Sequence, residues 1–385
     1  MEKINVLFIA DDGSMGGSTA SLYNLIDAVR DEVNPIVLFR VDGVGVDFFL
    51  KKGIECYVYP FINLTQFFRN KFKSVLYHPF RWHILKKFFV DYDCCKYVLK
   101  VLSGRKIDIV HTNTSVNDIG IKLTKILCAK HVWHVRECLD VHSNTPIYLG
   151  MTKHIDKINS ADGRIAISDF VAKHWQMREY NTWVINDAIR IKKEACYIPN
   201  KDKYLLFCSY NITEGKGAHR AIIAFALSKV ARDGFKLLLI GNCLNEYKDY
   251  VDSLYKTVKE FRLKDSVEFL PCQTDIKPYF AHATAYIMAS EFEGLGRVTG
   301  EAMFYGCPVI AHATGGTLDL VKDGETGYLY NTIEECALQI RKVCTEPQEL
   351  LILRAQEFAI NNLSQEVYGP KIMEVYKHVL GMCNH

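Results

Sequence analysis

Nowhere in the 385 residues do 18 apolar residues run uninterrupted, so no transmembrane helix is expected. The 13 cysteines form no C-x-x-C, and Cys94–Cys95 is the only close pair, so neither a metal ribbon nor a dithiol motif is indicated. Charge of one sign is barely in excess: the formal net charge is +3, which argues against a nucleic-acid binder. The apolar run within "MEKINVLFIADDG" is too short for a signal peptide and reads as a strand entering a turn. Together these absences predict a reduced, cytoplasmic protein.

What is present is ordinary globular material, 49% hydrophobic and 24% charged. The length exceeds the ~250–300 residues at which a single core stops growing, so two domains are expected. Short apolar runs alternate with helix-like stretches: "INVLFIA" (4–10), "PIVLF" (35–39), "IDIVH" (107–111), "HVWHV" (131–135), "GRIAIS" (163–168) and "TWVIND" (182–187). A second series follows with "YLLFCS" (204–209), "FKLLLIG" (235–241), "VEFL" (267–270), "AYIMAS" (285–290) and "CPVIAH" (307–312). Strands apolar on both faces and joined by helices predict parallel α/β sheets. The charged, weakly periodic stretch 188–203 reads as a linker between a first domain, 1–187, and a second, 204–369. The segment 370–385 reads as a helix, with Ile372, Val375, Tyr376, Val379 and Leu380 on one face, packing either on its own domain or back on the first. Pro370 is expected to kink it or separate it from the helix at 347–363.

One stretch is compositionally unusual. Between Ile62 and Val90 lie six Lys or Arg, eight aromatics and no acid. Such interleaving suits an anionic membrane surface; it equally suits a helical cap with aromatics inward and bases outward.

The chemistry concentrates in "MASEFEGLGRVTGEAMFYGCPVIAHATGGTLDLV", which reads strand, Gly loop, helix, strand, Gly loop, helix. Gly294 and Gly296 permit a tight turn around Leu295, after which Arg297 to Phe304 can form a helix. A helix start offers unpaired amides and the positive end of its dipole to an anion. Glu293 and Glu301 flank that start. Carboxylates repel phosphate, so they are better read as acceptors for sugar hydroxyls while amides hold phosphate. "ATGGT" (313–317) repeats the device. In the first domain, Gly16 and Gly17 break the chain between strand and helix, but "GSMGG" is not the G-x-G-x-x-G of a dinucleotide dehydrogenase. His134 ends a strand, followed by Arg136 and Glu137; a strand histidine is more often structural, although strand carboxyl ends are where open α/β sheets bind ligands. Asn113 and Thr114 end a neighbouring strand and, with Arg136 and Glu137, are expected to face the acceptor side of a ligand cleft.

"EGLGRVTGEAM", "GCPVIAHATGG" and "VKDGETGYLY" resemble the donor-binding segment of family 4 retaining glycosyltransferases. "GSMGGSTASLYNL", "KHVWHVRE", "VINDAI" and "EGKGAHRAIIAFA" occur in that family's order. The resemblance implies the GT-B fold: two doubly wound Rossmann-like domains facing a cleft, acceptor on the first and nucleotide sugar on the second. It implies that Glu293 contacts the transferred sugar and Glu301 the ribose, while the amides of Gly296, Arg297 and Val298 and the side chain of Lys216 meet the diphosphate. His134 would be the active-site histidine touching the donor sugar, with the Gly16–Gly17 loop near the diphosphate. Where the family usually carries an arginine five residues before the lysine, this chain has Asn211, which removes one cation from the phosphate clamp.

The expected function is therefore retaining transfer from a UDP- or GDP-sugar to a hydroxyl acceptor, a saccharide or lipid-linked saccharide of capsule, O-antigen or teichoic-acid type. No cofactor and no metal are expected. Residues 62–90 would place the protein peripherally on the inner face of the plasma membrane. A nucleotide-sugar 2-epimerase of GT-B fold and a non-catalytic nucleotide-sugar-binding subunit are the competing readings.

Overall fold

The computed structural model describes residues 2–64, 80–138, 140, 141, 147 and 150–382, with only the backbone for 80–83. Most of the basic aromatic stretch, residues 65–79, lies outside the described residues. The chain divides into two compact units, Met1–Ala188 with Gln365–His385, and Ile189–Ser364.

The first unit is built on a parallel sheet ordered β3-β2-β1-β4-β5-β6-β7. Its strands are β1 (Ile4–Ala10), β2 (Val33–Phe39), β3 (Glu55–Val58), β4 (Ile109–Thr112), β5 (Lys130–Val135), β6 (Gly163–Ala166) and β7 (Thr182–Val184). Alternation along β1 feeds two cores, because successive side chains point to opposite faces. Val6, Phe8 and Ala10 join Leu22, Leu25, Ile372 and Val375, whereas Leu7 and Ile9 join Cys94, Val98, Ile119 and Leu123. A strand covered on both faces is apolar along its buried length, as Val6 to Ala10 are; the one polar residue, Asn5, sits at its partly exposed start.

The last helix, Gln365–Val379, belongs to this first unit and buries Tyr368, Ile372, Met373, Val375, Tyr376 and Val379. Gly369 permits its close approach to the helix Gly17–Val29, since a Cβ there would lie 2.4 Å from the carbonyl oxygen of Ala28. Tyr376 Oη pairs with His111 Nδ1 at 2.9 Å in the same core. Pro370 lies inside this helix, and the break from the preceding helix, Glu349–Leu363, falls instead at the extended Ser364. Proline removes its own hydrogen bond and crowds the carbonyl four residues back; the apolar face buried on either side of it holds the helix together all the same.

The second unit carries a parallel sheet ordered β10-β9-β8-β11-β12-β13. Its strands are β8 (Asp202–Asn211), β9 (Lys236–Asn242), β10 (Val267–Leu270), β11 (Ala283–Met288), β12 (Val309–His312) and β13 (Tyr328–Tyr330). Leu205, Phe207, Leu237, Leu239, Ala285 and Ile287 pack against Ala221, Phe225, Leu254 and Ile340 from its helices. The unit begins at Ile189, and much of the stretch read as linker is built into it: Ile189 N–H donates to Leu363 O at 2.8 Å, and Cys196 N–H to Phe304 O at 3.2 Å. The segment carries too little apolar periodicity to signal that docking.

Candidate active site

In the second unit the strand order reverses between β8 and β11, and ligands of open α/β sheets bind outside the carboxyl ends of strands at such a switch point. Lys216 follows β8 in the turn Glu214–Lys216, and Glu293 follows β11. The topology brings them together: Lys216 Nζ lies 2.7 Å from Glu293 Oε1, which also accepts from Ser290 Oγ at 2.6 Å. Gly217, at φ +76°, makes this possible, because a Cβ there would sit 2.0 Å from the carbonyl oxygen of Ala289.

Beyond Glu293, Gly294 and the buried Leu295 lead to Gly296, which takes the left-handed conformation (φ +87°) and begins the helix Arg297–Phe304. That helix has no side-chain cap and no acid in its first turn. Its start therefore keeps the amide-rich, positive character that favours an anion. Glu301 lies one turn in and pairs with Arg190 at 2.8 Å. Two threonine hydroxyls, Thr299 Oγ1 and Thr317 Oγ1, are buried without a partner among the described residues. A Cβ on Gly296 would lie 3.3 and 3.6 Å from them. Neither threonine was marked by the sequence; only the fold brings them to one glycine.

The "ATGGT" loop lies against the glutamate loop. Gly316 N–H donates to Glu293 O at 2.9 Å, and Thr314 Oγ1 to Glu291 O at 2.9 Å. A Cβ on Gly316 would lie 1.9 Å from Gly294 O, and one on Gly315 2.2 Å from Glu293 O. The loop is a brace pressed against the glutamate loop, and the helix after it, Thr317–Leu320, is only one turn long.

Asn211 ends β8 with its backbone carbonyl accepting from Ser209 Oγ at 2.8 Å and its side-chain Oδ1 from Asn242 at 3.4 Å. The position is a polar pair and supplies no cation.

In the first unit, Gly16 caps the helix Gly17–Val29 in extended conformation. The loop before it is pressed against residues 41–45: Gly45 N–H donates to Gly13 O at 2.7 Å, and a Cβ on Gly13 would lie 2.4 Å from Val41 O. His134, the residue expected to touch the donor sugar, lies near the end of β5. Its side chain is fully buried, Nδ1 lies 3.3 Å from Arg136 Nη2, and the ring packs edge-on against His111. Burial, then the Arg136 charge and His111, push its imidazole well below the usual range. His134 is the fifth residue of β5, and the buried Arg136 and Glu137 follow the strand.

Arg136 is itself buried, ion-paired with Asp187 and donating through Nε to Asn113 Oδ1 at 3.1 Å. Asp187 Oδ2 in turn accepts from Ser21 Oγ at 2.8 Å. Asn113 and Thr114 are likewise internal: Asn113 Nδ2 donates to Ser18 O at 3.1 Å, and Thr114 O accepts from Trp133 Nε1 at 2.8 Å. These residues form a rigid floor under the strand ends. Glu137 accepts from Ser115 N–H at 2.7 Å and Ser115 Oγ at 3.1 Å; burial raises its carboxyl to about 7 against the lowering effect of those bonds.

Two doubly wound parallel sheets in separate units, with the glycine loop, lysine and paired glutamates at the switch point of the second, define a protein of GT-B architecture. Residues 190–358 match the family model described as "Glycosyl transferases group 1". An uncharacterized glycosyltransferase of Haemophilus influenzae is 32% identical over 133 residues, 34% of this chain and 36% of the relative. The N-acetyl-alpha-D-glucosaminyl L-malate synthase of Bacillus anthracis is 27% identical over 193 residues, 50% of this chain and 49% of the relative. The matched region thus spans between about a third and a half of the length of these relatives. Over whole chains the fold is that of Anabaena HepE, solved in complex with UDP, with TM-score 0.81, 21% identity, and 97% of this chain and 100% of that one covered. Sucrose-phosphate synthase of Thermosynechococcus elongatus gives TM-score 0.75 at 17% identity, covering 99% and 100%.

Proposed function

We propose that the protein is a retaining glycosyltransferase that moves a sugar from a UDP- or GDP-sugar to a hydroxyl acceptor. The observation that carries this reading is the switch-point constellation of the second unit. Lys216 and the uncapped start of Arg297–Phe304 supply positive potential, and a carboxylate stands at each side of it. A nucleotide sugar presents those groups in that order: ribose, diphosphate, hexose.

On this reading Glu301 accepts from the ribose, the amides of Gly296 to Val298 and Lys216 hold the diphosphate, and Glu293 accepts from hydroxyls of the transferred sugar. The Lys216–Glu293 pair is 39% and 17% exposed, and ion pairs of that kind contribute only ~0–1 kcal/mol, so a diphosphate can take over the lysine at little cost. Lysine then neutralises charge that grows on the leaving phosphate as the glycosidic bond breaks. The leaving phosphate oxygen takes the acceptor's proton on the face where the new bond forms, which retains the anomeric configuration. The cationic groups come from the chain itself, and turnover is expected to persist in excess EDTA.

The acceptor is proposed to be a saccharide or lipid-linked saccharide of a cell-surface glycan, met at an anionic membrane surface. Within the helix Phe80–Leu102, the exposed Ile84, Leu85, Phe88, Phe89 and Tyr92 support that reading together with the basic composition of 62–90. Among the described residues no helix is long and apolar enough to cross a membrane. Sedimentation with anionic liposomes at low salt tests the surface, and failure to sediment rejects it. For the reaction, a panel of UDP- and GDP-sugars is incubated with and without saccharide acceptors and the products are resolved by mass and anomeric configuration. Conversion of the donor without an acceptor would instead establish the 2-epimerase reading, and tight binding with no turnover the non-catalytic one.

A further inference from the structure

Of the two site glutamates, Glu293 meets a lysine and Glu301 an arginine, and the arginine is held far more firmly. Among the described residues the Lys216 ammonium pairs with that carboxylate alone, whereas the Arg190 guanidinium is fixed from three directions. Nε donates to Tyr305 Oη at 2.7 Å, Nη1 to Ile189 O at 3.1 Å, and Nη2 to Glu301 Oε1 at 2.8 Å. Its plane also lies over the Tyr305 ring, 5.9 Å from the centroid, within cation–π range. Glu301 and Tyr305 are four residues apart, hence on one face of the helix, so a single guanidinium spans both. The pair is half-buried, with side chains 28% and 17% exposed. Glu301 Oε2 has no hydrogen-bond partner among the described residues, and it is not buried.

The backbone is arranged to deliver this arginine. Ile189 N–H is tied to Leu363 O at 2.8 Å, and Arg190 forms a bridge with Ser364. The strand-like segment passes directly over the helix at Gly300, where a Cβ would lie 2.9 Å from Ile189 Cγ1. A mid-helix glycine costs ~1 kcal/mol relative to alanine. Its presence one residue before Glu301 is explained by the passage of Ile189 and Arg190.

Resting on the reading of Glu301 as the ribose contact, we infer that Arg190 is the positioning residue for the nucleotide end of the donor. It occupies one carboxylate oxygen and turns the other toward the ligand, so that Glu301 accepts from the vicinal hydroxyls of a ribose. The site is then selective for ribonucleoside over 2′-deoxyribonucleoside diphosphates. Tyr305 fixes Arg190 in turn and does not touch the ligand.

The test is calorimetric titration of UDP, 2′-deoxy-UDP, GDP and 2′-deoxy-GDP into wild type, Arg190→Met, Arg190→Lys, Glu301→Gln and the Arg190→Met/Glu301→Gln double variant. Wild type is expected to prefer the ribose form of the nucleotide it binds by about tenfold or more, the scale of one hydrogen bond to a charged group. Arg190→Met should lose most of that ratio while binding the 2′-deoxy form almost unchanged. Arg190→Lys, which keeps the charge but not the fork, should fall between and serves if the methionine variant fails to fold. In the Glu301→Gln background the Arg190→Met change should have little further effect. An unchanged ratio in the Arg190 variants, with or without a lower melting temperature, overturns the inference and leaves the donor reading standing. A wild type that binds neither UDP nor GDP overturns the donor reading itself.

Discussion

Substituting Gly316 by alanine separates bracing from binding in this site. The residue lies at φ −70°, so an alanine meets no backbone penalty. The cost is steric, since the new Cβ would sit 1.9 Å from Gly294 O and 2.9 Å from Leu295 Cα. A carbon and a carbonyl oxygen approach to about 3.3 Å. The two loops must therefore part by roughly 1.4 Å, taking the difference between that limit and the geometry. Parting breaks the bonds from Gly316 N–H to Glu293 O and from Thr314 Oγ1 to Glu291 O, each 2.9 Å long. At ~1 kcal/mol per bond, with ~1–3 kcal/mol for overpacking, the total is about 3–5 kcal/mol, reduced by whatever the loops recover on relaxing. For a domain of this size 1 kcal/mol moves the midpoint by ~2–4 °C, so a fall of roughly 5–15 °C is expected. Nucleoside diphosphate affinity should fall with it, because Glu293 and the helix start ride on the displaced loop. Gly215→Ala is the control, as a Cβ there meets nothing within 4 Å. Calorimetric melting and UDP or GDP titration of both variants decide the matter. A Gly316→Ala protein that melts and binds like wild type would refute the brace.

Glu293→Gln and Lys216→Ala should each lower transfer by ~100-fold or more with circular dichroism and melting nearly unchanged, since their ion pair is partly exposed; product formation checks this, and full turnover rejects the roles. Stability should fall on acidification. His131 and His154 are held neutral by burial, with values near 4, and His111 and His134 lie well below 6.5. For such groups the unfolded chain binds more protons between about 6.5 and 4, so stability is present above 6.5 and is lost as pH falls through that window, by ~3 kcal/mol for each of the two near 4. Glu137, raised to about 7, acts in the opposite sense between about 4.5 and 7 and offsets part of the loss. A urea midpoint at pH 5 equal to or above that at pH 7 would contradict the balance. Tyr376→Phe orphans His111 Nδ1 in the core and should cost ~1–3 kcal/mol in the first unit, with nucleotide affinity unchanged by titration.

The architecture was legible wherever strands are buried on both faces. "INVLFIA" is expected at 4–10 and is β1 at those residues, because five consecutive apolar residues follow Asn5. β3, with its glutamate, cysteine and tyrosine, carries no such run and gave no signal; its partly exposed position at the sheet edge explains why. Lys216 and Glu293 were legible because glycines and charges after strands have few structural uses. Arg190 was not, since its place depends on a chain crossing that the sequence does not record.

The helix Gln365–Val379 closes a core begun more than three hundred residues earlier. On a ribosome, where chains grow at ~5–20 residues per second, residues 1–188 would wait roughly 10–40 s for it. During that interval the surface that Tyr368, Ile372, Met373, Val375 and Tyr376 will cover, including Leu22, Leu25 and Ile26, stays open to water. The second unit, contiguous in sequence, needs no such wait. Synthesis and folding thus run in different orders: the part made first is finished last, and a chain cut short before residue 365 would leave its first half without a lid on its core.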